Sequence, residues 1–187
     1  MDKNIESYIK IYNAIDKDLC KSSIEQLEEQ NWEKHLFYDS KVRTEHALSG
    51  DKELDVFFGE IGNKEILSDL TWKSIFSYVK SLNFSWYRSW NGFSSIRFNR
   101  YEKDQTMAIH CDHIYSLFDG NRKGVPILSI VGLLNDDYTG GEFIMFEDKE
   151  IKLSAGDIMI FPSNFLYPHK VEPVKEGKRY SFVSWVF

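Results

Sequence analysis

From Phe84 to the C-terminus the chain breaks into short apolar runs separated by Gly, Asp, Asn and Pro, and this rhythm restricts the fold more than any other feature. The runs fall near 93–101, 106–113, 126–135, 141–147, 149–153, 157–161, 167–172 and 179–187. Short strands at such close spacing leave no room for crossover helices, so they predict a sandwich or barrel rather than a parallel sheet. Asn91-Gly92, between aromatic-rich runs, has the composition of a two-residue hairpin turn.

The first half reads differently. Tyr8 to Ile15 alternates loosely and suits a strand, and Asp16 suits the N-cap of a helix through Leu27 with Leu19, Ile24 and Leu27 inward. The stretch from about Glu33 to Asp55 is polar and unpatterned and reads as a loop. A second helix fits Lys64 to Leu82, where Ile66, Leu67, Leu70, Ile75, Tyr78 and Val79 recur at helical spacing. The expectation is one domain over 1–187, with residues 1–85 as helical support on the outer face of one sheet and 86–187 as the β core. With 187 residues and 42% hydrophobic content, the chain can bury a sizeable core.

A formal net charge of −6 with scattered basic residues argues against a nucleic-acid partner. Cys20 and Cys111 do not make a disulfide framework. The N-terminus MDKNIESYIK has no leader pattern, and no run approaches the ~18 apolar residues of a membrane span. A cytoplasmic, non-membrane protein, monomeric or homodimeric, is therefore expected.

His110-Cys111-Asp112 is the first chemical feature. Residues i and i+2 of a strand share a face, so an imidazole and a carboxylate can converge there. They supply two of the three ligands of a 2-His-1-carboxylate site, which leaves positions open for small molecules. A surface pair on a strand explains the tripeptide equally well, so the third ligand matters. His113 is too close and on the opposite face, and His35 and His46 lie in the unpatterned segment. His169 sits in a late strand, where it reads as a ligand or as a half-buried strand histidine. If Val171 and Arg179 flank a turn at Pro173 to Gly177, their strands are neighbours, and Arg179 and Ser181 share an inward face. An inward arginine needs an anion, and a dicarboxylate would meet its fork. An exposed edge arginine is the plainer alternative.

The segments YEKDQTMAIHCDH, LLNDDYTGGEFIMF, IKLSAGDIMIFPS and PHKVEPVKEGKRYSFVSWVF, in that order from Tyr101 to Phe187, resemble the catalytic core of 2-oxoglutarate- and Fe(II)-dependent oxygenases of the prolyl 4-hydroxylase superfamily. The chain is especially similar to PKHD-type hydroxylases. The resemblance implies a double-stranded β-helix (a cupin-like jelly roll), with iron on His110, Asp112 and His169. It implies that Arg179 clamps the C5 carboxylate of 2-oxoglutarate, with Tyr101, Ser129 and Ser181 in the same pocket and Trp185 toward substrate; Tyr101 and Trp185 read equally as core packing, and Tyr115, in the segment 113–125, is a further candidate for the substrate side. It makes Gly140-Gly141-Glu142 a structural turn. It brings Fe(II), 2-oxoglutarate and O2 as requirements, with ascorbate as an optional reductant.

The implied reaction is hydroxylation of a C–H bond in a protein or peptide side chain, coupled to decarboxylation of 2-oxoglutarate to succinate. A free amino acid or other small metabolite is the alternative substrate, and a non-catalytic binding jelly roll the alternative class. Pro126 and Met107 replace an arginine and a tyrosine found in some relatives, which weakens the case for a peptidyl proline. Residues 113–125 read as a lid or a surface loop. Trp86, Tyr87 and Trp90 read as buried packing or a groove, and the first 85 residues as scaffold only.

Overall fold

The fold is described from a computed structural model, for residues 4–39, 44–46, 49–87, 90, 92–112 and 126–187. Strand β1 (Lys10–Asn13) leads into helix α1 (Lys17–Glu28), whose first turn is capped by the Asp16 carboxylate accepting the Leu19 N–H at 2.8 Å. Four short strands follow: β2 (Glu33–Lys34), β3 (Phe37–Asp39), β4 (Thr44–His46) and β5 (Asp55–Phe57). Helix α2 (Lys64–Leu82) ends on Asn83 in the left-handed conformation.

The second half continues with β6 (Arg97–Tyr101), β7 (Met107–His110), β8 (Leu128–Leu133), β9 (Thr139–Gly140), β10 (Phe143–Met145) and β11 (Lys149–Ile151). It closes with β12 (Asp157–Pro162), β13 (His169–Val171), β14 (Val174–Glu176) and β15 (Arg179–Val186). Each of the apolar runs expected in this half carries a strand.

These strands make a seven-stranded sheet in the order β1-β12-β8-β15-β6-β5-β2 and a four-stranded sheet in the order β11-β10-β13-β7. The double-stranded β-helix expected from the resemblance is thus the fold. Its layers follow from period-two alternation. On β12, Ile158 and Ile160 enter a core shared with the helices, while Met159 and Phe161 enter a second core with Phe143, Met145 and Val171 of the small sheet. On the helix side the same sheet packs against Leu67, Ile75, Tyr78 and Val79 of α2.

Four expectations are corrected. Ile66 lies half exposed on α2, because the buried stripe runs through Leu67, Thr71, Ser74, Ile75 and Tyr78. Thr71 and Ser74 fit there by donating their hydroxyls to the carbonyls of Leu67 and Leu70, both at 2.8 Å. The segment expected to be a loop over 33–55 instead adds β5 and β2 to the edge of the large sheet, where Arg100 of β6 reaches Asp55 at 3.1 Å. Charged pairs of this kind carry no hydrophobic alternation.

The third correction concerns residues 173–177. They are not a simple turn between neighbouring strands, since β13 belongs to the small sheet and β15 to the large one. The connection forms β14, paired with β9, and Gly140 sits there because an added Cβ would lie 2.4 Å from the Pro173 carbonyl oxygen. The fourth concerns the hairpin at Asn91-Gly92. Asn91 is outside the described residues, residues 84–87 hold no strand, and Phe93 makes only an isolated bridge to Val186.

Gly132 of β8 faces the fully buried Phe182 of β15. An added Cβ would lie 2.1 Å from the Phe182 ring. Gly132→Ala is expected to cost about 1–3 kcal/mol by overpacking, read as a lower urea midpoint at unchanged m-value.

Candidate metal centre

The centre is set by one register. Strands β7 and β13 are antiparallel, and His110 lies directly opposite His169. Their rings stand 4.3 Å apart between centroids. Asp112 follows two residues after His110, past the end of β7, and turns its carboxylate between the two rings. Its Oδ1 is 3.3 Å from His110 Nε2 and 3.7 Å from His169 Nε2. The three ligand atoms lie within 4.8 Å of one another.

The surroundings orient each donor. His110 Nδ1 meets the Ala108 carbonyl at 2.8 Å, and His169 Nδ1 meets the Tyr167 carbonyl at 3.1 Å. A carbonyl only accepts, so each Nδ1 carries the proton and each Nε2 presents its lone pair to the centre. The Ser129 hydroxyl donates to Asp112 Oδ2, which leaves Oδ1 on the imidazole side. Phe143 and Phe161 enclose the His169 ring, at 5.4 and 5.2 Å between centroids.

Burial pushes the His169 imidazole down to about 4, so it stays neutral at physiological pH. Burial by itself would raise the Asp112 carboxyl. The positive charge that the His169 and His110 rings carry when protonated, with the Ser129 hydrogen bond, outweighs it and holds the carboxyl well below the usual range. Two neutral imidazole nitrogens and one carboxylate oxygen on a single point fit divalent iron with open positions.

Behind this cluster lies a cation with no anion among the described residues. Arg179, 1% exposed, opens β15 opposite Tyr101 of β6. Its guanidinium lies over the Tyr101 ring at 5.1 Å, and Nη1 donates to the Ser181 hydroxyl oxygen at 2.9 Å. Its Nε is buried with no hydrogen-bond partner among the described residues. Arg179 also lines a cavity of about 340 Å³ with Tyr138, Gly141, Phe143, Ile151 and Leu153. An unpaired buried guanidinium is costly, so the donor set fits a carboxylate ligand such as the distal end of 2-oxoglutarate. A larger cavity, about 550 Å³, lies between α1 and residues 134–137 and touches none of these groups.

Of the residues singled out in the sequence, His110, Asp112 and His169 meet at one point, and Tyr101, Arg179 and Ser181 meet at another. Ser129 is found on Asp112. Trp185 is half buried, opposite Ser129 in the register, at the far end of β15 from Arg179. Tyr115 and the whole 113–125 segment lie outside the described residues. Trp86 is 79% exposed and stacks on Phe84, while Tyr87 and Trp90 pack on the helix-side core.

The first 85 residues do more than brace the sheet. Phe37 packs its edge on His110 at 5.5 Å, and His35 and Glu53 are buried close by, with Nδ1 and Oε1 3.4 Å apart. Sequence reasoning also missed Arg97. It lies two and four residues before Asn99 and Tyr101 on the same strand face, so period-two spacing from Tyr101 was the available signal. Loss of the hydroxyl in Ser129→Ala is expected to weaken Mn(II) binding about 10- to 100-fold, measured by titration against the free-ion EPR signal, with thermal melting little changed.

Residues 96–187 match the sequence model of the 2OG-Fe(II) oxygenase superfamily. A PKHD-type hydroxylase of Idiomarina loihiensis is 26% identical over 185 residues, which covers 95% of this chain and 76% of the relative. Among solved structures, a Pseudomonas putida prolyl-4-hydroxylase shares the fold at TM-score 0.66 and 17% identity, over 95% of this chain and 91% of that one. A Trichoplax adhaerens prolyl hydroxylase, solved with a hypoxia inducible factor peptide fragment, does so at TM-score 0.69 and 16% identity, over 96% and 83%. With its fold, its converging histidines and carboxylate, and this family match, the chain belongs to the 2OG-Fe(II) oxygenase superfamily as a 2-oxoglutarate-dependent dioxygenase.

Proposed function

We propose that this enzyme hydroxylates a C–H bond in a protein or peptide side chain and couples that step to decarboxylation of 2-oxoglutarate. One oxygen atom of O2 goes to the substrate as hydroxyl and the other to succinate, with loss of carbon dioxide. The observation that carries the reading is the pairing of a three-donor metal cluster with a buried arginine that meets no anion among the described residues, in one inter-sheet space.

His110, Asp112 and His169 would hold Fe(II), and iron bound with 2-oxoglutarate supplies the oxygen activation. The chain's own residues orient and exclude. Arg179 receives the distal carboxylate, with the Ser181 hydroxyl holding one arm of the fork and Tyr101 supporting its face. The Ala108 and Tyr167 carbonyls fix both imidazole tautomers, and Ser129 fixes the carboxylate. Phe143 and Phe161 keep water from the His169 side. No side chain has to serve as a general acid or base. A peptide substrate is supported by the peptide-bound Trichoplax structure of the same fold. Trp185, half buried beyond the cluster, is the wall assigned to the substrate side.

His169→Ala is expected to abolish Fe(II)-dependent succinate formation while the far-UV circular dichroism stays native. Near-normal turnover in that variant would remove the metal assignment. Arg179→Met is expected to raise KM for 2-oxoglutarate by at least about 100-fold, with Mn(II) affinity retained. Mass spectrometry of candidate peptides and free amino acids, seeking the gain of one oxygen atom, separates peptide from metabolite substrates.

A further inference from the structure

The inner face of the large sheet carries a second arginine. Alternation on β6 sends Ile96 and Phe98 into the helix-side core and turns Arg97, Asn99 and Tyr101 toward the inter-sheet space. Arg97 is 9% exposed. Its Nε donates to Asn99 Oδ1 at 3.1 Å, and its guanidinium lies over the Trp185 ring at 5.3 Å. Nη1 and Nη2 make no hydrogen bond or ion pair with any described residue. Asp112, Tyr101 and His35 are the ionisable groups whose fields reach it, and none of them pairs with it directly.

The neighbouring Arg100, on the opposite face of the same strand, shows how this chain treats a structural arginine. It is matched by Asp55 at 3.1 Å. Arg97 has no such match among the described residues, although burying an unpaired charge is costly.

The cosubstrate does not fill the gap. Arg97 is opposite Val183 on β15, four residues from Arg179, or about 13 Å along the strand. A 2-oxoglutarate with its distal carboxylate on Arg179 and its other end at the metal has used both charges. Arg97 is left on the Trp185 side of the cluster, within the field of Asp112. The Trp185 ring beneath it and the Asn99 hydrogen bond restrain the guanidinium plane, which prepares a two-pronged contact with a planar anion.

Building on the proposed oxygenase reading, we propose that Arg97 receives a carboxylate of the substrate, so that the enzyme acts on a molecule with an acidic group close to the oxidised C–H bond. Two sources share that chemistry: the α-carboxylate of a free amino acid, and an acidic side chain or C-terminus of a peptide. Asn99 and Trp185 are positioning residues for the contact.

The test compares acids with their amides. Free L-amino acids are set against their amides, and Glu- or Asp-containing peptides against Gln or Asn versions. C-terminally free peptides are set against amidated ones. Each pair is scored by ligand-induced thermal shift of protein loaded with Mn(II) and 2-oxoglutarate under argon, and by stimulation of succinate formation with Fe(II) and O2. The acid is expected to bind about 10- to 100-fold better than its amide, and the arm showing the preference identifies the source. Arg97→Gln is expected to erase the preference and Arg97→Lys to keep part of it, both with native circular dichroism and unchanged Mn(II) affinity.

Absence of an acid-over-amide preference in the wild type, in both readouts, overturns the proposal. So does a loss of Mn(II) affinity in Arg97→Gln that matches the loss of ligand binding, because Arg97 would then act through Asp112. Acid-selective binding without any succinate formation sinks the oxygenase reading and leaves Arg97 as an anion site. Succinate formation without acid selectivity does the reverse.

Discussion

The direct pairing of His110 with His169 across β7 and β13 is the constraint on which the rest of the site depends. Side chains alternate along a strand, so a slip of one residue on either strand would turn one imidazole to the other face and dissolve the cluster. The register is held by ordinary packing. Met107 and Val171, at the other end of the same pair, are both buried in the inter-sheet core, and a bulge between the two pairings absorbs the mismatch in spacing. Phe143, aligned with Val171 on the next strand, also encloses the His169 ring. Hydrophobic contacts on both strands therefore help to place the ligands.

The two faces of the large sheet divide the labour. Toward the helices, Ile130, Ile158, Ile160, Phe98 and Phe182 form a dry core that supplies stability. Toward the small sheet, the central strands give up apolar positions to Asn99, Ser129, Ser181, Arg97 and Arg179. Buried polar groups of this kind weaken a core unless each finds a partner. Ser129 finds Asp112, and Arg179 finds Ser181 and the Tyr101 face. Arg179 Nε and the two terminal nitrogens of Arg97 find none among the described residues. The unmet groups lie at opposite ends of one inward face, and a bound diacid and an acidic substrate would complete them.

Legibility differed by region because the physical signal did. Strands β6, β7, β8, β10, β11, β12, β13 and β15 alternate apolar and punctuating residues strongly enough to be read one by one, whereas the short β9 and β14 lie in segments that read as turns, and Asp16 announced α1 through its capping chemistry. In β2 and β5 the alternation is replaced by Lys34 and Asp55, ion-paired with each other and, through Asp55, with Arg100 of β6, which only a folded sheet brings together. His35 and Glu53 gave no cue of burial, since each is a polar residue in a segment without a regular apolar period. Arg97 went unread although its spacing from Tyr101 was visible, because an inward arginine is informative only once its lack of a partner is known.

The amino-acid order by itself determined the local terms: which residues alternate, that His110 and Asp112 share a face, that Arg179 and Ser181 share another, and that four segments follow the pattern of an oxygenase core. The tertiary structure alone decided that β13 and β15 lie in different sheets, that Ser129 serves Asp112, that Phe37 reaches His110, and that two arginines are buried with no anion among the described residues. These are contacts between residues far apart in the chain. Periodicity describes one strand at a time, whereas the partner, register and burial of each strand are settled by how the whole set packs.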